Sequence, residues 1–451
     1  MIRNAEAQAT DTIAAISTAL GEGAIAIVRI SGSDAVSVAR KILARQDFPE
    51  HGRMYLTTLL ADGEIVDRVM CVCFRSPKSY TGEDVIEIHT HGGILAARTC
   101  LELVLSNGAR IAEPGEFTRR AFVSGHIDLS QAEGVLSAIT SRSNEALRAA
   151  ARTLTGELSR AVMMIHDDIL SLQGGIEIQL DFPEGETVTG LDVAGGIGGI
   201  ISQLEALIPR CSAGMLLSHG VNVVIAGRPN AGKSSLMNAL VGRKRAIVTE
   251  IPGTTRDIIS ESIIIGGVPV RLSDTAGLRE AGDIVEAEGV RLAFEAMNGS
   301  DICVYVADGS RELADDDREY IRGLEGRRAI VAVNKSDLQD MAGDIGTSCP
   351  VLHLSAKTGA GIDDLRREIY SMAVKDCAVS SGLNVSAFQL GELRGALSDV
   401  REAGESAVSF AGEDVTAGLL GSARMRLLRV LGTDAGDELL DSMFSRFCVG
   451  K

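Results

Sequence analysis

Nine residues, GRPNAGKSS (Gly227 to Ser235), stand between the apolar run VNVVIA (Val221 to Ala226) and the helix-like LMNALVG. A G-x-x-x-x-G-K-S spacing after a strand and before a helix is that of a polyphosphate cradle. Backbone N–H groups turn inward there, above a helix N-terminus that favours negative charge. Lys233 then reaches the β- and γ-phosphates and Ser234 holds Mg²⁺, with Asn230, Ala231, Gly232 and Ser235 completing the loop.

Three further loops bear on the choice of nucleotide. DTAG (Asp274, Thr275, Ala276, Gly277) directly follows the strand-like VPVRLS, so Asp274 suits an outer ligand of Mg²⁺ and the Gly277 N–H a γ-phosphate contact. NKSD (Asn334, Lys335, Ser336, Asp337) caps AIVAV, and SAK (Ser355, Ala356, Lys357) follows VLHL. A carboxylate at Asp337 accepts from both N1–H and N2–H₂ of guanine, a donor pair that adenine lacks. Two charge-assisted hydrogen bonds of about 1.5–3 kcal/mol each favour GTP over ATP. Between cradle and sensor lies TEIPGTTRD, covering Thr249, Glu250, Ile251, Pro252, Gly253, Thr254 and Thr255, where a switch segment is expected to supply a threonine to Mg²⁺. Thr254 and Thr255 both qualify.

GTP hydrolysis needs a group that orients water. The position after DTAG, often glutamine in small GTPases, is Leu278, which neither donates nor accepts. Arg279, Glu280, Asp283, Glu286 and Glu288 are the polar candidates that follow it. Charge on the transferring phosphoryl group must also be neutralised, by an arginine or by a monovalent cation. Asn230 is well placed to coordinate such a cation together with switch-loop carbonyls.

The elements that hold these loops account for only part of the chain. Of 451 residues, a GTPase module of roughly 160 leaves about 290 for other domains. Residues 1–124 mix alternating runs, GAIAIVRIS (Gly23 to Ser31), RVMCVCF (Arg68 to Phe74) and DVIEIHTHGG (Asp84 to Gly93), with helix-like stretches such as Ile94 to Ser106, which predicts an α+β domain. Apolar residues at Leu147, Ala151, Leu154, Leu158, Val162, Ile165, Ile169, Leu172 and Ile176 predict one long amphipathic helix. A second helical stretch runs from about Ile197 to Leu217, and the Gly-rich Gly190 to Gly199 reads as a loop. Helical spacing resumes at Leu390, Leu393, Leu397 and Val400, and later at Leu439, Leu440, Met443, Phe444 and Phe447. The expected architecture is therefore an N-terminal α+β domain (1–124) and a helical domain in two pieces (125–217 and 377–451). Between those pieces is inserted a P-loop α/β domain with a mainly parallel sheet (218–376).

A net charge of −17 and a pI near 5.0 argue against a broad basic surface for nucleic acid, so an RNA contact must be local or shared with a partner. No apolar run reads as membrane length and the polar start lacks a secretory core, which predicts a cytoplasmic protein. Eight cysteines without a C-x-x-C fit a reduced compartment better than a disulfide or zinc framework.

Taken with RISG (Arg29 to Gly32), TGED (Thr81 to Asp84), HGG (His91 to Gly93), PGEFTRRAF (Pro114 to Phe122), PGTTRD, DTAGLRE and the terminal FCVGK (Phe447 to Lys451), the chain resembles the MnmE (TrmE) tRNA-modification GTPases over nearly its whole length. The resemblance implies a GTPase acting with the flavoprotein MnmG, in a heterotetramer. Together they add aminomethyl-type or carboxymethylaminomethyl groups at carbon 5 of the tRNA wobble uridine, using a formyl- or methylene-tetrahydrofolate donor. It implies a homodimer through the N-terminal domain, with tRNA bound jointly with the partner. By matching position, Asn230, Thr249, Ile251 and Thr254 would ligate K⁺, Ser234 and Thr255 would ligate Mg²⁺, and Glu286 would orient the water. Arg29, Glu87, His126 and Lys451 would bind folate, and Cys448 is a candidate reactive thiol. Where related chains carry a lysine after PGEF…RAF, this chain has His126, a weaker cation at pH 7. A ribosome-assembly GTPase acting as an RNA-binding switch is the competing reading. Against it, the sequence offers no basic GXXG clamp, and aromatic residues make up only 3% of it.

Overall fold

The computed structural model describes residues 11–45, 47, 50–181, 192–242, 260–274, 299–339, 341–343, 345–375, 377, 379–409, 413–433 and 436–451. The expected contributions of Thr249, Glu250, Ile251, Pro252, Gly253, Thr254, Thr255, Thr275, Ala276, Gly277 and Glu286 lie outside the described residues. Contacts divide the chain into two compact units, Met1–Ala132 with Leu428–Lys451, and Glu133–Leu427.

In the first unit, strands β1 (Ile13–Ile16), β2 (Ile25–Ser31), β3 (Tyr55–Ala61), β4 (Glu64–Phe74), β5 (Val85–His91) and β6 (Arg110–Ile111) form one sheet in the order β3-β4-β5-β2-β1-β6. The pairs are antiparallel except β1 with β6. Alternation sorts the side chains by face. Val28, Ile30, Ile86 and Ile88 enter a core with residues of the helices Ala35–Ile42 and Ile94–Ser106, such as Val38 and Cys100. The intervening Arg29 and Glu87 project from the opposite face, directly across the β2–β5 register. The chain's end joins this unit. The helix Asp437–Phe444 packs Phe444 near Phe122, with ring centroids 6.4 Å apart, and Asp441 pairs with Arg119 at 3.0 Å. The sequence reading assigned all of 377–451 to the helical domain, whereas these contacts group Leu428–Lys451 with the N-terminal residues.

In the second unit the expected long helix is two, Asn144–Leu154 and Glu157–Asp181. Gly156, at φ +79°, breaks the ladder in a conformation that suits glycine. The break also rotates the buried face. Ala146, Ala149, Ala150 and Thr153 are buried while Leu147 and Leu154 are exposed, and the anticipated stripe holds only from Leu158 onward. The Gly-rich segment is not a loop over its described part, because a helix runs Val193–His219, capped by the Asp192 side chain accepting from the Gly195 N–H. This helix is long and apolar enough to cross a bilayer by length and composition, contrary to the sequence reading. Its apolar side is instead used in packing: Leu204, Leu207, Cys211 and Leu217 are buried, and Gly214 sits directly against the Leu383 backbone.

The segment after the α/β insertion returns to the helices that precede it. Leu383 N–H donates to Arg210 O at 3.0 Å, and Asn384 N–H donates to Thr153 Oγ1 at 2.8 Å. From there the helix Ala387–Ser409 runs along Val193–His219. The inserted sheet has the order β12-β11-β10-β7-β9-β8, comprising β7 (Val221–Ala226), β8 (Ser260–Ile265), β9 (Val268–Asp274), β10 (Ile302–Asp308), β11 (Ala329–Asn334) and β12 (Val351–His353). Only β8 runs antiparallel to its neighbour. Parallel strands buried on both faces require near-continuous apolar runs, and β10 and β11 are buried at every position.

Candidate functional sites

Strands β7, β9, β10, β11 and β12 run parallel and end at one edge of that sheet, where open α/β folds place their ligands. Gly232 turns the cradle into its helix at φ +98°, and a Cβ there would stand 2.2 Å from Asn334 Nδ2. Asn230 also has a positive φ, +65°. Lys233 opens the helix Lys233–Val241 and curls over the loop, its Nζ donating to Gly227 O at 2.8 Å and Arg228 O at 2.9 Å. Ser234 and Ser235 follow in the first helical turn. Asp274 ends β9, next to β7.

Asn334 ties three loops together. Its Nδ2 donates to Ala231 O at 2.9 Å, and its Oδ1 accepts from the Ala356 N–H at 3.0 Å. The side chain is 3% exposed, so both bonds form in a dry place where each counts. Ser355 Oγ donates to Asp337 Oδ1 at 2.6 Å and accepts from the Thr358 N–H at 3.2 Å. The Ser355 bond, opposed by desolvation and helped by the charges of Lys357 and Lys335, holds the exposed Asp337 carboxyl below its ordinary range. Cradle, Asn334, Asp337 and Ser355 to Lys357 are therefore one connected surface. It offers a glycine loop and a lysine at one end and a carboxylate acceptor at the other. Such a surface suits a purine nucleotide whose base donates.

Sequence reasoning missed Asp308. It ends β10 at the same sheet edge, is 8% exposed, and receives Lys335 Nζ at 2.7 Å and Arg311 Nη2 at 2.6 Å. Burial alone would raise its pKa, but hydrogen bonds from Lys335, Ser310 and Arg311 outweigh it and hold the carboxyl far below the usual range. The available signal was positional: an apolar strand ending in aspartate at a sheet edge already carrying four motifs.

A second cluster lies in the first unit. Arg29 donates from Nε and Nη2 to Glu87 Oε1 at 2.9 and 2.8 Å, and from Nη1 to Gly450 O at 3.3 Å. Its guanidinium lies over the rings of Tyr80 and Phe117, 5.5 and 5.7 Å from their centroids. Ser17 Oγ also donates to Gly450 O, which seats the chain's end on the β-sheet face that carries Arg29. Burial and the neighbouring Arg29 charge push the Lys451 ammonium below its ordinary pKa, against the pull of Glu87. His89, two positions along β5, brings Nε2 within 3.6 Å of Glu87 Oε2, and that nitrogen is buried with no hydrogen-bond partner. Cations, a carboxylate, aromatic rings and an orphaned imidazole nitrogen converge here. That donor set fits a flat, polar heterocycle with a carboxylated tail.

Arg29, Glu87 and Lys451 are thus brought together, but His126 does not join them. Its Nε2 lies 2.8 Å from Pro77 O and its Nδ1 3.0 Å from Ser124 Oγ, so it braces the segment before TGED. Cys448 is exposed, and its carbonyl accepts from the Lys451 N–H at 3.3 Å. The motifs TGED and PGEFTRRAF are joined by charge. Arg120 binds Glu83, Asp11 and Glu116, and Arg110 binds Asp11 and Glu116. Tyr80 and Phe117, the aromatic walls around Arg29, belong to or adjoin these motifs, and their opposite charges were the overlooked sign that they pair.

The model of the TrmE N-terminus, a GTP-binding protein, matches residues 12–126, and that of the MnmE helical domain matches residues 129–448. A tRNA modification GTPase MnmE of Symbiobacterium thermophilum is 43% identical over 98% of this chain and 99% of its own length. Its counterpart in Geobacter metallireducens is 42% identical over the same shares. Among solved structures, the G domain of the T. maritima FeoB iron transporter is 27% identical, covering 34% of this chain and 98% of its own, with a TM-score of 0.26.

Proposed function

The chain belongs to the MnmE family of tRNA modification GTPases, and from that premise we propose a potassium-stimulated GTP hydrolase that serves carbon 5 of the tRNA wobble uridine. It works with an MnmG-type flavoprotein and draws on a folate one-carbon donor. The observation that carries the nucleotide half is Asn334, which links the phosphate cradle through Ala231 to the base loop through Ala356.

In this reading Lys233 exchanges its loop carbonyls for phosphate oxygens, and Asp337, held by Ser355, accepts from guanine. Ser234 and Thr255 would hold Mg²⁺; Asn230, Thr249, Ile251 and Thr254 would hold K⁺. These ions would supply positive charge for the phosphoryl oxygens, the work an arginine does in other GTPases. Glu286 orients the water. Asp274 and Gly277 sense the γ-phosphate; Asp274 ends β9, which pairs with β7, the strand that leads into the cradle.

For the folate, Arg29 and Lys451 suit its glutamate carboxylates and Glu87 suits the N–H edge of its pterin. Tyr80 and Phe117 offer faces for a flat ring. His126, held by Pro77 O and Ser124, is left out of the site, and Cys448, exposed in the tail, is the candidate reactive thiol. The protein is taken to be a cytoplasmic homodimer that binds tRNA jointly with its partner. GTPase residues 218–376 are inserted between helical segments 125–217 and 377–451, whose last residues, Leu428–Lys451, group with residues 1–124, the folate and dimerisation domain.

Two measurements test the reading. GTP turnover should be severalfold faster in potassium than in sodium buffer, and equal rates would remove the potassium site. Wobble-uridine nucleosides of tRNA from a deletion strain should lose their carbon-5 groups, and an unchanged profile would overturn the tRNA role.

A further inference from the structure

Lys335 is one of only three described non-glycine residues with positive φ, at +69°, a conformation that costs a lysine about 1–2 kcal/mol. Something must hold it. That conformation turns the side chain back across the loop, where Nζ meets Asp308 Oδ2 at 2.7 Å. Asp308 is itself fixed. It terminates a strand buried at every position, its Oδ1 accepts from the Ser310 N–H and hydroxyl, and its Oδ2 also takes Arg311. The Gly309 N–H donates to Asn334 O at 2.9 Å, so this acidic corner is bonded to the residue that joins cradle and base loop.

We propose that Asp308 is a positioning residue for guanine recognition. By anchoring the Lys335 ammonium at the rim of the sheet, it lays the lysine's methylene stem along the base slot as a wall for the purine face. The anchor also holds the following turn, so that Asp337 meets Ser355. The wall is apolar while its charge is tied down at the far end, which a lysine left in solvent would not provide. Free and nucleotide-bound protein then share one slot geometry, and the ordering cost is met on folding rather than on binding. The inference rests on the nucleotide reading of the site and adds to it a residue outside the recognised motifs.

The full-length chain serves for the test, with fluorescently labelled GDP and GTP as probes. Asp308→Asn should raise the dissociation constants of both nucleotides about tenfold, about the worth of one charge-assisted hydrogen bond, while kcat at saturating GTP stays within about twofold. Lys335→Met, which keeps the stem and loses the charge, should raise both dissociation constants to a like extent, and the double variant should be no weaker than either single one. Affinity unchanged in Asp308→Asn, or losses that add in the double variant, would overturn the proposal. So would a fall in kcat without loss of affinity. If Asp308→Asn fails to fold, Lys335→Met decides alone by the same affinity criterion. Failure of the wild-type chain to bind any guanine nucleotide would instead overturn the GTPase reading itself.

Discussion

Arg29 and Glu87 face each other across β2 and β5, and two nitrogens of the guanidinium share a single carboxylate oxygen, Oε1. Their side chains are 15% and 16% exposed, so each charge depends on the other. Removing one partner of such a pair leaves a desolvated charge behind. Arg29→Ala or Glu87→Ala should therefore cost about 3 kcal/mol in chemical denaturation of the N-terminal unit, and the double variant distinctly less than the sum. Additive losses would show that the two residues act separately.

The tail gives a prediction whose sign is set by Lys451. Burial and Arg29 lower its pKa in the docked state, so docking is opposed while the ammonium is charged and is relieved as pH rises through the lowered value. Protection of the terminal amides from hydrogen exchange, corrected for intrinsic rates, should increase from pH 7 toward pH 10. Lys451→Met should show that higher protection already at neutral pH and yet bind formyl-tetrahydrofolate more weakly. A tail that loosens with rising pH would contradict the assignment.

Acid stability of the same unit follows from Asp11 and Glu116. For both, burial raises the pKa, but hydrogen bonds and charge from Arg110 and Arg120 overcome it and the net value is lowered. Carboxylates with depressed folded values contribute stability that is fully present above their unfolded pKa and is lost as pH falls through the folded one. The unit should hold its midpoint in urea down to about pH 5 and lose it below about pH 4. Glu116→Gln should lower stability at pH 7 and flatten that acid limb; an unaltered limb would mean that other groups set it.

What could be read without coordinates depended on how local the cause was. The cradle was legible because a strand, a glycine loop and a helix occupy one continuous stretch, and the α+β character of the first unit because Arg29 and Glu87 alternate with buried Val28, Ile30, Ile86 and Ile88. The break at Gly156 was missed because periodicity at threes and fours runs through it, and only the left-handed turn re-phases the face. Helix over the Gly-rich residues from Val193 was missed because propensity argues against it, while packing of Ile197, Ile200 and Leu204 favours it. Asp308 and Arg120 were missed because Lys335, Asp11 and Glu83, which tie them to the other motifs, are distant in sequence, and no spacing rule reports such partners.

Asp337 carries the last prediction. Ser355 Oγ donates to its Oδ1 at 2.6 Å, which occupies one carboxylate oxygen and leaves the other to face the base. In Asp337→Asn the amide oxygen can keep the serine bond, so the NH₂ group takes the outward position. A donor then meets the N1–H and N2–H₂ of guanine, where both sides donate and neither accepts. Xanthine carries a carbonyl at C2 and accepts what the amide offers. The variant should lose GTP affinity by about 10²-fold or more and hydrolyse XTP in preference, because a donor facing a donor discriminates far more than a missing methylene does. Ser355→Ala should be milder, about fivefold to tenfold on GTP, since it loosens the carboxylate without changing its chemistry. Competition of labelled GDP with unlabelled GTP and XTP reads both effects, and a variant that binds GTP as tightly as the wild type would remove Asp337 from the base pocket.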